Sequence, residues 1–148
     1  MRTRVLIVDD HAPFRDAARA ALAVVDDFQL VGEATSGEEA IALTESLRPD
    51  IVVMDIVMNG IDGIEAARSI AAARPETRTI LVSTYRAEEL PRGTWTCGAA
   101  AFLHKSEFGS GRLRELCRTR SPVSRGRPDR EALPSHACEQ PSPRRGRA

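Results

Sequence analysis

Two apolar patterns alternate along the first 118 residues. The first is a set of short runs: Val5-Leu6-Ile7-Val8, Phe28 to Ala34, Ile51-Val52-Val53-Met54, Thr79-Ile80-Leu81-Val82-Ser83 and Ala100-Ala101-Phe102-Leu103-His104-Lys105. Runs of this length read as strands, and Ile51-Val52-Val53-Met54, continuous and bounded by Pro49 and Gly60, reads as one buried on both faces. Gly32 inside the second run weakens that strand.

Between the runs, apolar residues recur at helical spacing. Pro13 opens a helix in a favoured early position, with Phe14, Ala18, Ala21 or Leu22, and Val25 on one face. Ser36-Gly37-Glu38-Glu39 fits a capping box, and the helix behind it carries Ala40, Leu43 and Leu47 before stopping at Pro49. Asp62-Gly63-Ile64-Glu65 repeats the pattern, and Ile64, Ala67 and Ala71 line a helix to about Ala73. Residues 86–96 hold both Pro91 and Gly93, which disfavour a helix interior, so a short, irregular and mobile helix is expected there, closed by Gly98. A last helix is expected over 107–118, with Leu113, Leu116 and Cys117 inward.

Five strands alternating with five helices require a parallel sheet with right-handed crossovers. Five such units in about 118 residues suit an α/β, flavodoxin-like doubly wound (βα)5 fold with strand order 2-1-3-4-5.

Composition adds a boundary. Formal net charge is zero, but residues 119–148 hold seven arginines and three acids, which leaves fourteen basic and eighteen acidic side chains in residues 1–118. The mildly acidic body makes DNA binding an unfavoured function. From Thr119 the chain is rich in Arg, Pro and Ser and loses apolar periodicity, so a folded domain over 1–118 and a disordered tail over 119–148 are expected. The tail reads either as a basic arm for anionic surfaces or as plain solvated chain. Cys97, Cys117 and Cys138 form neither a metal-ligand spacing nor an even framework, which suits a reducing compartment. With no signal peptide and no run near the ~20 apolar residues of a membrane span, a cytoplasmic protein without membrane contact is expected.

The chemistry gathers at the strand ends. In the order 2-1-3-4-5, Asp9-Asp10, Asp55 and Ser83-Thr84 end neighbouring strands at one rim of the sheet, where such folds place ligands. Lys105 ends a strand two places from Asp55, ~10 Å away between backbones, which a lysine stem largely spans. Three carboxylates this close repel, and a hard divalent cation such as Mg2+ relieves them. Asp55 then stays anionic and can act as a nucleophile toward a phosphoryl group, whose roughly two negative charges Mg2+ and Lys105 would share. The Ser83 hydroxyl could hydrogen-bond a phosphoryl oxygen.

These residues carry a resemblance. Val5-Leu6-Ile7-Val8-Asp9-Asp10-His11, Met54-Asp55-Ile56-Val57-Met58 with Asp62-Gly63-Ile64-Glu65-Ala66-Ala67, the strand ending Ser83-Thr84, and Gly98-Ala99 leading to Phe102-Leu103-His104-Lys105 resemble the receiver domain of two-component response regulators over residues 4 to about 118. The resemblance implies phosphotransfer to Asp55 from a sensor histidine kinase or a phosphotransfer protein. It implies Mg2+ held by the Asp10 and Asp55 carboxylates and the Val57 backbone carbonyl, with Asp9 acting through water. Ser83 would be the switch hydroxyl, an assignment that spacing to Lys105 favours over Thr84. Lys105 would pair with the phosphate, and Phe102 would be either the state-reporting aromatic or an ordinary half-buried strand residue. Such a domain switches a protein-interaction face toward a downstream protein, with a homodimer on phosphorylation as one form. It is not an enzyme beyond its own phosphotransfer and dephosphorylation.

Some positions depart from the family pattern. Asn59 and Ser106 stand where many members carry proline, and residues 119–148 hold no helix-turn-helix pattern. A stand-alone receiver, or a transcriptional regulator without its output domain, is therefore expected. Two other readings compete: an unphosphorylated pseudo-receiver adaptor, disfavoured by the presence of Asp9, Asp10, Asp55 and Lys105 together, and a phosphatase of the haloacid-dehalogenase type, disfavoured because Asp55-Ile56-Val57 lacks a second acid.

Overall fold

The structure, a computed structural model, describes residues 2–118. The tail expected over 119–148 lies outside the described residues. The chain runs β1 (Thr3–Val8), α1 (Ala12–Ala23), β2 (Phe28–Ala34), α2 (Gly37–Leu47), β3 (Ile51–Asp55), α3 (Gly63–Ala73), β4 (Arg78–Ser83), β5 (Ala101–His104) and α4 (Ser110–Arg118). The strands form one sheet in the order β2-β1-β3-β4-β5 with every neighbouring pair parallel, as the alternation of patterns requires.

Strand alternation divides the core into two layers. Leu6, Val8, Val52, Met54, Leu81 and Phe102 face α2 and α3, where Ala40, Ile64, Ala67 and Ile70 meet them. Val5, Ile7, Val53, Ile80, Val82 and Leu103 face α1 and α4, where Ala18, Leu22, Leu113 and Leu116 complete the layer. All five residues of β3 are buried, which explains its unbroken apolar run.

Of the five expected helices, the fourth is absent as an α-helix. Residues 86–96 form two separate 3₁₀ turns, Ala87–Glu89 and Arg92–Trp95, so the described residues contain four α-helices. Pro91 sits between the turns as the cap of the second; it has no N–H to give a continuous helix. The last helix also starts later than expected. β5 ends at His104, Lys105–Glu107 is a 3₁₀ turn, and α4 begins at Ser110.

Both predicted helix caps form, each with one altered arm. Ser36 Oγ accepts from the Glu39 N–H at 3.1 Å, but the Glu39 carboxylate reaches the Thr35 N–H instead of the cap residue. Asp62 Oδ1 accepts from the Glu65 N–H at 2.9 Å, while Glu65 turns to Arg68.

α3 starts hard against the end of β3. The Gly63 N–H donates to the Ile56 carbonyl at 2.8 Å, and a Cβ at residue 63 would press into the Asp55 carbonyl oxygen and lie 2.9 Å from Ile56 Cα. Both obstacles are backbone and cannot swing aside. Gly63→Ala is therefore expected to lower stability by about 2–3 kcal/mol, read as the midpoint of urea unfolding. An unchanged midpoint would mean that α3 can retreat from β3 freely.

Candidate phosphoacceptor site

Parallel pairing brings the candidate residues to one rim. Val8 pairs with Met54 and Asp55 with Val82, so Asp9, Asp55 and Ser83 leave adjacent strands at nearly one level. Asp9, Asp10 and Asp55 each place a carboxylate oxygen within 4.8 Å of the others. Asp9 is fully buried, Asp55 is 7% exposed and Asp10 faces solvent.

Lys105 crosses to this group from the far side of β4. Its Nζ lies 2.6 Å from Asp9 Oδ2 and 3.5 Å from Asp55 Oδ2. The approach to Asp9 is close but off the direction a hydrogen bond needs, so Oδ2 has a countercharge and no hydrogen-bond donor. Asp9 Oδ1, in contrast, accepts from the His11 N–H at 2.8 Å. Arg15 holds the Asp9 carbonyl at 2.8 Å and is itself paired with Glu33, which fixes the end of β1.

One ammonium for two buried carboxylates leaves the site short of positive charge. Burial and the neighbouring Asp9 push the Asp55 carboxyl up from 3.8 to about 6; Lys105 and a hydrogen bond from the Val57 backbone oppose the rise. Three converging carboxylates and a buried oxygen without a donor make an oxygen-only set that suits a hard cation.

The hydroxyl candidates separate. Ser83 is 1% exposed, and its Oγ accepts from the Tyr85 N–H at 3.0 Å, which leaves its own proton free to donate. Thr84 faces solvent. The Thr84 carbonyl accepts from His104 Nε2 at 2.9 Å, while His104 Nδ1 accepts from the Ser106 N–H at 3.2 Å. An N–H can only donate, so this arrangement fixes the Nε2–H tautomer and ties the exit of β4 to the exit of β5. Phe102 is buried, edge-to-face with Trp95 at 5.8 Å between centroids. Val57 is 55% exposed beside the site.

Two features escaped the sequence reading. The Phe14 ring lies 4.8 Å from Lys105 Nζ, and Phe108 meets Phe14 edge-to-face at 5.6 Å. Phe14 had been legible only as a member of the inner face of α1. The second was available in the sequence: Lys105 is the only lysine, and the other twenty basic side chains are arginine. The position that keeps a compact ammonium rather than a planar guanidinium is the one between two buried carboxylates.

Comparison with known proteins converges on one family. The family model for the response regulator receiver domain matches residues 5–118. The response regulator GacA of Pseudomonas viridiflava is 38% identical over 102 residues, covering 69% of this chain and 48% of the relative. The transcriptional regulatory protein LiaR of Bacillus subtilis is 31% identical over 129 residues, covering 87% of this chain and 59% of the relative. The chain thus spans about half the length of the curated relatives it matches. Among solved structures, the signal receiver domain of the putative response regulator NarL from Mycobacterium tuberculosis superposes with a TM-score of 0.74 at 29% identity, covering 80% of this chain and 98% of that one. The response regulator domain of Thermotoga maritima CheB gives a TM-score of 0.71 at 29% identity, covering 80% and 96%.

Proposed function

The chain belongs to the response regulator receiver family, and on that premise we propose that Asp55 accepts a phosphoryl group from a phosphohistidine of a sensor kinase or phosphotransfer protein. The observation that carries this reading is the meeting of Asp9, Asp10, Asp55 and Lys105 at one rim of the sheet. Asp10 and Asp55 through their carboxylates, Val57 through its carbonyl and Asp9 through water would hold Mg2+, which would supply charge neutralisation for the acids and the incoming phosphoryl group.

Each side chain then has a defined task. An Asp55 Oδ attacks phosphorus, the P–N bond to the donor imidazole breaks, and that nitrogen keeps the bonding pair. Lys105, already within reach of both carboxylates, turns its N–H donors to the phosphoryl oxygens. Ser83 donates its free hydroxyl proton to another. A Ser83 drawn inward pulls on the loop held by Tyr85 and His104, and Phe102, packed on Trp95, lies on the same face of the sheet as Ser83. The surface so altered would address a downstream protein or a second copy of the chain, in the cytoplasm. No helix among the described residues is long and apolar enough to cross a membrane.

Intact-protein mass after incubation with acetyl phosphate tests the reading. One phosphate-sized gain that requires Mg2+ is expected. A gain that persists without Mg2+, or none in folded protein with either acetyl phosphate or a phosphorylated histidine donor, would count against Asp55 as acceptor.

A further inference from the structure

We propose that Phe14, braced by Phe108, is a positioning residue that holds the Lys105 ammonium in register for phosphoryl transfer to Asp55. The inference rests on the reading of Lys105 as the cation that pairs with the phosphoryl group.

The geometry is specific. Lys105 Nζ stands 4.8 Å from the Phe14 ring centroid, inside the range of a cation–π contact, and its side chain is only 15% exposed. The ring comes from α1, two residues into the helix, and the lysine follows β5, so the contact joins residues far apart in the chain, 14 and 105. Phe14 does not hang free. Phe108, in the loop before α4, meets it at 5.6 Å with an interplanar angle of 63°, and both rings pack on the core layer containing Leu22 and Leu113. Phe14 thus presents an aromatic wall to the ammonium, and Phe108 backs it.

An aromatic wall suits this task better than a polar one. A third carboxylate there would take N–H donors that the phosphoryl oxygens need. A ring face attracts the cation through its quadrupole while leaving every N–H free, and it keeps water from competing for them. An aliphatic side chain would exclude water equally well but would not attract the charge. Phe14→Leu and Phe14→Tyr therefore separate the two effects.

The test follows phosphoryl uptake from acetyl phosphate in Phe14→Leu, Phe14→Tyr, Phe108→Leu and Lys105→Met, with circular dichroism to verify folding. In parallel, lysine-selective isotope labelling reports the ε-methylene of Lys105 in unphosphorylated, metal-free protein. Because it is the only lysine, its signal needs no assignment, and a ring overhead shifts it upfield. Phe14→Leu is expected to slow uptake roughly three- to tenfold and to remove the upfield shift; Phe14→Tyr restores both. Phe108→Leu, which removes only the brace, is expected to fall between. Wild-type uptake in Phe14→Leu beside slow uptake in Lys105→Met overturns the role of Phe14 and leaves that of Lys105 standing. Equal slowing in the Leu and Tyr variants also overturns it, because the ring face would then not be what acts. Wild-type uptake in Lys105→Met removes the reading beneath. Should Phe14→Leu not fold, an unmoved signal and rate in Phe108→Leu overturns the proposal.

Discussion

Asp55→Asn is expected to abolish phosphoryl uptake and, in metal-free protein at neutral pH, to raise the melting temperature. The second half follows from the charge at the site. Folding lifts the Asp55 carboxyl from 3.8 to about 6, chiefly through burial and then through Asp9. The folded chain thus keeps this proton to higher pH than the unfolded chain does. The stabilisation from that proton is fully present below about pH 3.8 and is lost as pH rises through about 6. At neutral pH the ionised group costs the fold about 3 kcal/mol, which asparagine, carrying no charge, does not incur. A gain of several degrees is expected by scanning calorimetry. Mg2+ should raise the wild-type midpoint at neutral pH, do so less near pH ~5 where Asp55 holds its proton, and do least in Asp55→Asn. A wild-type protein equally sensitive to Mg2+ at both pH values would show that ionised Asp55 is not what the cation relieves.

Lys105→Met should have the opposite sign. Asp9 is fully buried, and its Oδ2 has the ammonium at 2.6 Å as its countercharge and no hydrogen-bond donor. Removing one partner of a buried pair leaves the other uncompensated, at a cost of about 3 kcal/mol. Urea midpoints without Mg2+ should show the full loss, and saturating Mg2+ should recover much of it, because the cation addresses the same carboxylates. Some phosphoryl uptake should survive, since Asp55 remains, but partner binding should no longer respond to it. Lys105→Arg should fail to restore the wild-type midpoint: a planar fork is a poor fit where a point charge sits between two buried carboxylates. Full rescue by arginine would reduce Lys105 to a generic countercharge.

The sheet and the acidic site were legible because each rests on short-range patterns. Apolar runs with an acid at the end survive any uncertainty about neighbours, and once strands 1 and 3 are adjacent, Asp9 and Asp55 must meet. Lys105 was legible for the same reason, since its stem length covers the gap across β4. The stretch between β4 and β5 was only half legible. Pro91 and Gly93 gave irregularity but not its form, because two 3₁₀ turns and one poor helix differ by little free energy locally, and packing of Thr94 and Trp95 decides between them. The Phe14–Lys105 contact left no trace in periodicity, which places Phe14 on the inner face of α1 without saying what reaches that face. The difference between Ser83 and Thr84 came from register and burial, one hydroxyl inside and its neighbour outside.

The single lysine has a consequence for the chemistry of small phosphodonors. Acetyl phosphate has two electrophilic centres. A carboxylate attacks at phosphorus, whereas an amine attacks at the carbonyl carbon and is acylated. In this chain both nucleophiles stand in one cleft, Lys105 Nζ 3.5 Å from Asp55 Oδ2, and no other lysine competes for the acyl group. While Nζ is an ammonium held by Asp9, it offers no lone pair, and the reagent is directed to Asp55. Acylation would convert the ammonium that pairs with Asp9 into a neutral amide. The charge that readies Lys105 for the phosphoryl group therefore also guards it against the donor.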